Sequence, residues 1–144
     1  MKKNKSTFKI FLLIFLSILL FSCSTDESLI GSKPIDAYFY IGYDSTGIKI
    51  NHGWIKYEFI DSIRVKGEWY LEGLSYVENI GDQIGHGELS GVVYSDTVGL
   101  NLNPQYKDRN VYLIGIQRED VITGVWHWIT FPGLTNWGTF KAEK

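Results

Sequence analysis

Glycine constrains the fold of this chain more than any other residue type. Of the 15 glycines, all but one fall between Gly42 and Gly138, where they recur about every eight residues. Apolar runs separate them, and none of these runs sustains the periodicity of an amphipathic helix. Short strands at this spacing, joined by turns of Gly, Asp, Asn and Ser, are typical of an antiparallel sandwich or barrel. The sequence therefore predicts an all-β domain over residues 36–144.

Two segments carry the clearest strand pattern. In residues 63–72, apolar residues and Gly67 occupy alternate positions, and most of the intervening positions are charged. Residues 55–59 alternate in the same way, which is typical of half-buried strands. Because cross-strand partners share a face, we expect an odd-length hairpin loop that pairs Phe59 with Ile63.

The whole domain is predicted to be a single antiparallel meander of about eight strands. Each predicted strand lies next to the following one, and such a meander closes most simply as an up-and-down barrel, which removes the exposed edges. We therefore favour a closed barrel over a sandwich. The predicted strands are residues 37–43, 55–59, 63–72, 87–94, 98–103, 111–117, 121–131 and 137–142, with an optional short strand at 48–51.

Two short motifs agree with a barrel. The triplets Gly67-Glu68-Trp69 and Gly124-Val125-Trp126 resemble the Gly-x-Trp motif of lipocalins, in which the Trp closes one end of the barrel. The resemblance implies a lipocalin-like or avidin-like barrel, and it carries no ligand over to this chain.

The first 22 residues have the pattern of an export signal. Residues 10–21 are apolar except for Ser17, and lysines at positions 2, 3, 5 and 9 precede them. A membrane-spanning helix needs about 20 apolar residues. The run here is shorter and has the size of a signal-peptide core behind a positive N-terminal region. The sequence predicts a signal peptide at residues 1–22 that is cleaved from the mature chain.

Leu20-Phe21-Ser22-Cys23 resembles the lipobox of bacterial lipoproteins. The resemblance implies cleavage before Cys23 and acylation of its sulfur with chains such as palmitate. Cys23 is the only cysteine, and two or more acyl chains anchor a protein stably to a membrane. Residues 23–35 then form a lipidated, flexible tether. The alternative is an uncleaved N-terminal anchor helix in which Cys23 has no role.

The residues after Cys23 indicate the destination. In bacterial lipoproteins an Asp after the cysteine favours retention in the inner membrane, and this chain has Ser24 there, so the resemblance implies the outer membrane of a Gram-negative bacterium. In some Gram-negative lipoproteins, acidic residues placed like Asp26 and Glu27 favour display on the cell surface, and the periplasmic face is the alternative.

The charge of the mature chain excludes some partners. Residues 23–144 contain 10 Lys and Arg against 16 Asp and Glu, because four of the 14 basic residues lie in the signal, so the net charge is −6. An acidic domain without a basic stripe is a poor candidate for binding nucleic acid or anionic lipid. The expected contact with the membrane is therefore the lipid on Cys23.

Aromatic residues are the candidate ligand-binding residues. Trp126 and Trp128 fall on one face of a predicted strand, where two indoles could stack against a sugar or another flat ligand. Trp69 and Tyr57 are further candidates. The alternative, favoured for the Trp pair, is that they belong to the core.

No motif indicates catalysis. The chain has no Gly-x-Ser-x-Gly motif, and residues 81–87 lack the Lys-Ser/Thr ending of a phosphate loop. Asp82, His86 and Glu88 are close together, but a structural zinc site usually includes Cys or paired His. We expect no enzyme activity, no metal and no cofactor.

Three triplets resemble the O-glycosylation acceptor of exported proteins in one group of Gram-negative bacteria. They have Asp, then Ser or Thr, then a residue such as Ile, Val or Thr, which makes Ser45, Ser62 and Thr97 the candidate acceptors. The alternative is ordinary turn chemistry, because Asp, Ser and Thr favour turns.

The sequence thus predicts a lipid-anchored cell-envelope lipoprotein with a non-catalytic β-barrel that binds a small apolar or sugar-like ligand. The alternative is an accessory or docking protein of an outer-membrane or surface complex, with no ligand cavity.

Overall fold

Eight antiparallel β-strands form a closed barrel. The computed structural model describes residues 33–74 and 78–144. Each strand pairs with the next, and β8 pairs with β1, so the sheet has no free edge. The predicted all-β meander and its closure as a barrel are confirmed. The strands are β1 (Tyr38–Asp44), β2 (Lys49–Phe59), β3 (Arg64–Gly73), β4 (Gly85–Tyr94), β5 (Thr97–Asn101), β6 (Asn110–Arg118), β7 (Val121–Thr130) and β8 (Gly133–Glu143).

The predictions for the N-terminal residues concern a part of the chain that the structure does not describe. The signal peptide at residues 1–22, Cys23 and all of the tether before Lys33 lie outside the described residues. Within the described ranges, no helix is long and apolar enough to cross a membrane.

The hairpin between β2 and β3 differs from the predicted register. Phe59 pairs with Val65 rather than with Ile63. The carboxylate of Asp61 accepts hydrogen bonds from the backbone N–H of Ile63 and of Arg64, at 3.0 and 2.8 Å, which draws Ile63 into the loop. The loop length is odd, as predicted, but the pairing was wrong by two residues. A shift of two leaves every side chain on its predicted face.

Strand β2 is longer than predicted. Residues 55–59 were predicted as one strand and 48–51 as an optional short one, yet Lys49–Phe59 is continuous. Gly53 lies at the middle of this strand, with φ of 158°, and pairs with both Tyr40 and Leu71. The strand therefore continues through Gly53 instead of turning there.

Inward-facing side chains fill the barrel. Tyr40 stacks on Phe140 with their ring centroids 5.6 Å apart, and both are buried. Large apolar side chains from all eight strands surround them, so that the interior is a packed core. The largest fully buried apolar side chains are Trp126, Tyr40, Ile50, Ile55, Leu71, Leu89, Leu100, Leu102, Leu113, Ile122 and Val65.

Many glycines lie inside strands, where neighbouring backbones approach closely. A Cβ on Gly138 would stand 2.0 Å from the carbonyl oxygen of Tyr43 and 2.7 Å from Nε1 of Trp126. A Cβ on Gly67 would stand 1.9 Å from the carbonyl oxygen of Lys56. These contacts leave no room for any other residue type. Glycine therefore permits tight curvature of the sheet as well as the turns that its spacing predicted.

The two ends of the barrel differ. Short turns at residues 60–63, 95–96 and 119–120 surround one end, where β1 begins and β8 ends; we call it the open end. Residues 78–84 pack over the other, closed end, where Gln83 is fully buried. The side-chain amide nitrogen of Asn51 donates to the backbone and side-chain oxygens of Gln83, both at 3.1 Å. This contact holds the connection between β3 and β4 against the barrel.

Candidate functional site

The open end of the barrel forms a cup of about 690 Å³. Tyr38, Tyr57 and Gln117 form its floor, and Phe59 and Val93 add apolar surface beside them. Charged side chains surround the rim. A volume of this size matches the cavities that hold small molecules in proteins.

The two tyrosines of the floor are stacked. Their ring centroids lie 5.7 Å apart with an angle of 6° between the planes. The phenol of Tyr57 donates a hydrogen bond of 3.0 Å to Oε1 of Gln117, and Nε2 of Gln117 donates to the phenol oxygen of Tyr38 at 3.2 Å. The amide of Gln117 therefore orients both phenols and fixes both rings.

These contacts cross the lumen. In a closed barrel of eight strands, β2 and β6 lie on opposite sides, and they supply Tyr57 and Gln117 respectively. The bond between these side chains separates the cup from the packed core below it. The cup therefore ends at this floor, above the packed core.

The rim of the cup carries both signs of charge. Asp36, Asp96 and Glu119 supply carboxylates, and Lys56 and Lys144 supply ammonium groups. Nζ of Lys144 lies 5.3 Å from the centroid of the Tyr38 ring, within the range of a cation–π contact. The rim thus offers hydrogen-bond acceptors and donors around an aromatic floor.

The phenol of Tyr57 is held in its neutral form. Burial raises the pKa of Tyr57, and the neighbouring phenol of Tyr38 raises it further. The phenol therefore keeps its proton across the physiological pH range, and the bond to Gln117 does not depend on pH there.

Of the four predicted ligand-binding residues, the structure brings Tyr57 to the cup. Trp126 is fully buried, and its Nε1 donates to the carbonyl oxygen of Tyr43 at 2.7 Å. Trp69 is 3% exposed, and its Nε1 donates to the carbonyl oxygen of Leu102. Both indoles lie toward the closed end. Neither presents a free ring face to solvent.

The fourth residue, Trp128, is partly buried. It packs against the core, and its ring lies so close to Gly81 that a Cβ there would stand 2.5 Å from the indole. Trp126 and Trp128 therefore share the inward face of β7, but the loop before β4 covers the second ring. The structure does not bring the pair together with Tyr57.

Sequence reasoning missed Tyr38 and Gln117. Tyr38 continues the inward series of Tyr40 and Gly42, and Gln117 continues the inward series of Leu113 and Gly115. The sequence signal that could have identified Gln117 is a side-chain amide at the end of an inward-facing apolar series. Its contact with the two tyrosines arises only when the barrel closes and brings β1, β2 and β6 together at the open end.

Two smaller hollows lie elsewhere. One of about 420 Å³ lies over β2, β3 and β4, and an ion pair of 3.3 Å between Lys66 and Glu58 lies at its edge. The other, of about 270 Å³, lies at the closed end beside Trp69 and Asp82. Neither combines stacked rings with bridging polar groups as the cup does.

Of the three residues considered as metal ligands near the start of β4, one makes an ion pair. Asp82 contacts Nη1 of Arg109 at 3.4 Å, whereas His86 and Glu88 lie on the exposed face of β4. In the part of the chain that the structure describes, no three His, Cys, Asp or Glu side chains gather closely enough to hold a metal ion.

The three candidate glycosylation residues are exposed. Ser45 lies in the turn between β1 and β2, and Ser62 lies in the loop between β2 and β3. Thr97 was expected in a turn, and it is instead the first residue of β5. Its hydroxyl contacts the carboxylate of Asp96 at 3.5 Å.

No family model, curated protein or solved structure matches this chain. The floor of the cup brings together residues from three strands, and its hydrogen bonds span 60 and 79 residues of sequence.

Proposed function

We propose that this protein is a lipid-anchored lipoprotein of the cell envelope whose barrel binds a small, sugar-like ligand in the cup without catalysing a reaction. The observation that carries the proposal is the floor of the cup, where Gln117 bridges two stacked tyrosine rings. The predicted small ligand was apolar or sugar-like. The polar rim favours the sugar-like class.

The chemistry of a sugar fits this arrangement. A pyranose ring has apolar C–H faces, which stack on aromatic rings, and hydroxyls at its edge, which need hydrogen-bonding partners. Tyr57 and Phe59 meet edge to face with centroids 6.5 Å apart, and they supply the aromatic surface. The carboxylates of Asp36, Asp96 and Glu119 accept hydrogen bonds from hydroxyls at the rim.

The anchor follows from the sequence pattern at Cys23. Cleavage before Cys23 and acylation of its sulfur leave a tether that leads into β1, which begins at the open end. The 13 residues of the tether, 23–35, span at most about 45 Å when fully extended. The cup is then held within that distance of the membrane. We place it on the outer membrane of a Gram-negative bacterium, on its periplasmic face or at the cell surface.

Replacing the thiol tests the anchor. The variant Cys23→Ser is expected to leave the membrane fraction and to lose the mass of the acyl chains, while the barrel still folds. A variant that still fractionates with membranes by the same route contradicts the lipid anchor.

A titration followed by two-dimensional NMR tests ligand binding. Neutral mono- and disaccharides are one probe series, and octanoic acid is the apolar probe. In the unmodified protein we expect saccharide-dependent shifts in the signals of Tyr38, Tyr57 and Gln117. In Tyr57→Ala we expect the shifts of Tyr38 and Gln117 to disappear. Tyr106→Ala at the closed end is the matched control and is expected to bind normally. Shifts with octanoate only, or no shift with any saccharide, contradict the proposal.

We also propose Ser45, Ser62 and Thr97 as acceptors of O-linked glycans. Each is exposed and follows an Asp. The intact mass of the protein from its native membrane, compared with that of Ser45→Ala, Ser62→Ala and Thr97→Ala, tests each residue separately. A native mass without any glycan increment contradicts this assignment.

The alternative function, docking within an envelope complex, has one observation in its favour. The outer surface of the barrel carries a broad uncharged area across β4 to β7. That area lies outside the cup, and in this alternative the cup holds no ligand.

A further inference from the structure

Backbone strain is concentrated at the rim of the cup. Among the described residues, four residues other than glycine have a positive φ, and three of them line the cup: Asp36 at 65°, Ser95 at 57° and Glu119 at 53°. A side chain disfavours this left-handed conformation, which glycine adopts easily. Residues that are held in it despite that cost cluster at functional sites. The strain therefore indicates that the rim needs the side chains at these positions.

Elsewhere in the barrel, turns with a positive φ have glycine. Gly47, between β1 and β2, has φ of 88°, and Gly133, at the start of β8, has φ of 114°. The turns after β4 and β6, at the open end, have Ser95 and Glu119 instead. Since glycine would relieve the strain there, the hydroxyl and the carboxylate at these positions are best explained by contact with a ligand in the cup.

Gln117 joins both of these turns to the floor. Its backbone N–H donates to the carbonyl oxygen of Asp96 at 2.7 Å, and its Nε2 donates to the carbonyl oxygen of Glu119 at 3.2 Å. The same side-chain amide bridges the phenols of Tyr38 and Tyr57. The turns that carry the Asp96 and Glu119 carboxylates therefore have a fixed position relative to the aromatic floor.

The rim has more carboxylates than ammonium groups. Asp36, Asp96 and Glu119 line the cup together with two lysines, and the ion pairs within the described ranges include none of these three acids. One of the lysines, Lys56, has Glu68 as its register partner on β3, and opposite charges at such positions attract each other. The cup therefore offers unpaired negative charge to a ligand.

An ammonium group already lies on the floor. Nζ of Lys144 is 5.3 Å from the centroid of the Tyr38 ring, and the backbone N–H of Lys144 donates to the carbonyl oxygen of Asp120 at 3.0 Å. The face of a phenol ring attracts a cation electrostatically. This contact shows that the floor accepts a primary ammonium group.

We infer that the cup prefers a saccharide with a free, protonated amino group over its neutral counterparts. This inference rests on the proposed function and names the class of sugar. The ammonium group of the sugar replaces that of Lys144 on Tyr38, while the rim carboxylates attract it and accept hydrogen bonds from the hydroxyls. Among the described residues, no three acidic or His side chains converge as a metal site requires, so the carboxylates surround a larger ligand. None of the candidate glycosylation residues lines the cup, so glycans there and a sugar in the cup are compatible.

Titrations of the full mature chain, followed by two-dimensional NMR, compare protonated glucosamine with glucose and N-acetylglucosamine. The two neutral sugars have the same ring and carry no charge. We expect glucosamine to bind about fivefold more tightly than either, the factor that one exposed ion pair supplies. The preference is expected to decrease at high salt, which screens exposed charges. Equal binding of the three sugars overturns the inference and leaves the proposed function in place, whereas no binding of any of them overturns both.

A charge-free rim tests the role of the carboxylates. The triple variant Asp36→Asn, Asp96→Asn, Glu119→Gln keeps the side-chain sizes, and it is expected to bind glucosamine and glucose equally. Glu119→Gln alone is expected to reduce the preference, which keeps the test available if the triple variant does not fold. Glu88→Gln, at an exposed position on β4 outside the cup, is the matched control and is expected to keep the full preference. A preference that persists in the rim variants overturns the inference.

Removing the ammonium group of Lys144 tests the position of the sugar's amino group. Lys144→Met keeps an unbranched apolar side chain and leaves the Tyr38 ring without its cation. We expect glucosamine to bind severalfold more tightly to this variant and glucose to change less, because only glucosamine replaces a like charge. Unchanged or weaker binding of glucosamine overturns the inference.

Discussion

The phenol of Tyr57 donates a hydrogen bond to Oε1 of Gln117 across the lumen of the barrel, over a distance of 3.0 Å. The two residues lie 60 positions apart in the sequence and on opposite sides of the closed sheet. The same amide donates to the phenol oxygen of Tyr38, so three strands are joined at one point. This junction forms the floor of the cup and the upper limit of the core.

The first prediction concerns the strength of this junction. Tyr57→Phe removes the donor but keeps the ring and its stacking on Tyr38. Because a typical hydrogen bond contributes about 1 kcal/mol net, we expect the free energy of unfolding to fall by about that amount. Urea denaturation followed by Trp fluorescence measures it.

The control for that prediction is Tyr106→Phe. Tyr106 is exposed, and its ring, which the substitution retains, makes the contact with Arg109 at 5.7 Å. We expect no loss of stability in this variant. Equal stability of Tyr57→Phe and the unmodified protein would show that the bond across the lumen does not stabilise the fold.

The second prediction concerns glycine inside strands. Gly138→Ala places a methyl group 2.0 Å from the carbonyl oxygen of Tyr43, at the seam where β8 pairs with β1. We expect a loss of several kcal/mol or a failure to fold, because the two backbones must separate. Soluble yield and the urea midpoint measure the effect.

Gly99→Ala is the matched control. Gly99 also lies within a strand, but the nearest atom to an added Cβ is 3.7 Å away, on the side chain of Val92. We expect this variant to retain the stability of the unmodified protein. Similar behaviour of the two variants would contradict close approach of the backbone as the reason for Gly138.

The architecture could be predicted because it follows from local patterns. Alternation of apolar and polar residues identified strands, and turns of Asp, Ser and Gly separated them, so a closed meander was the simplest arrangement. The register of β2 and β3 could not be predicted in the same way. It depends on the carboxylate of Asp61, which accepts two backbone hydrogen bonds and moves Ile63 into the loop.

The candidate site was less predictable because its parts are distant in the sequence. Tyr57 was identified as an aromatic residue on a strand, whereas Tyr38 and Gln117 had no local signal that linked them to it. Trp126 and Trp69 were candidate ligand-binding residues because they are large and aromatic. They are buried, and each donates to a backbone carbonyl, a role that composition cannot distinguish from ligand binding.

The third prediction compares two tyrosines on the inward face of β1. The phenol oxygen of Tyr40 is buried and has no hydrogen-bonding partner among the described residues, and burial raises its pKa. Tyr40→Phe removes this polar atom and keeps the stacking on Phe140, so we expect equal or greater stability. Tyr38→Phe loses its bond from Gln117, and its unfolding free energy is expected to fall by about 1 kcal/mol. Thermal unfolding of both variants checks this order, and a larger loss in Tyr40→Phe contradicts it.

The fourth prediction concerns acid stability. Backbone hydrogen bonds from Arg64 and Ile63, together with the Arg64 side chain, lower the pKa of Asp61 to about 2 from its ordinary 3.8. A carboxyl whose pKa is depressed in the folded state stabilises the protein above its unfolded pKa, and this stabilisation is lost as pH falls through the folded pKa. The advantage of the unmodified protein over Asp61→Asn is therefore expected to shrink between about pH 4 and pH 2. NMR titration of the Asp61 carboxyl and urea unfolding at several pH values measure the two quantities.

The variant Arg64→Met separates the causes of the low pKa of Asp61. It removes the side-chain donor at 2.6 Å and keeps both backbone N–H donors, which are the larger causes. We therefore expect the pKa of Asp61 to rise only in part and to stay below 3.8. A titration midpoint at or above 3.8 in the unmodified protein would mean that the loop between β2 and β3 is not closed by Asp61. The register of Phe59 with Val65, which depends on that loop, would then need another cause.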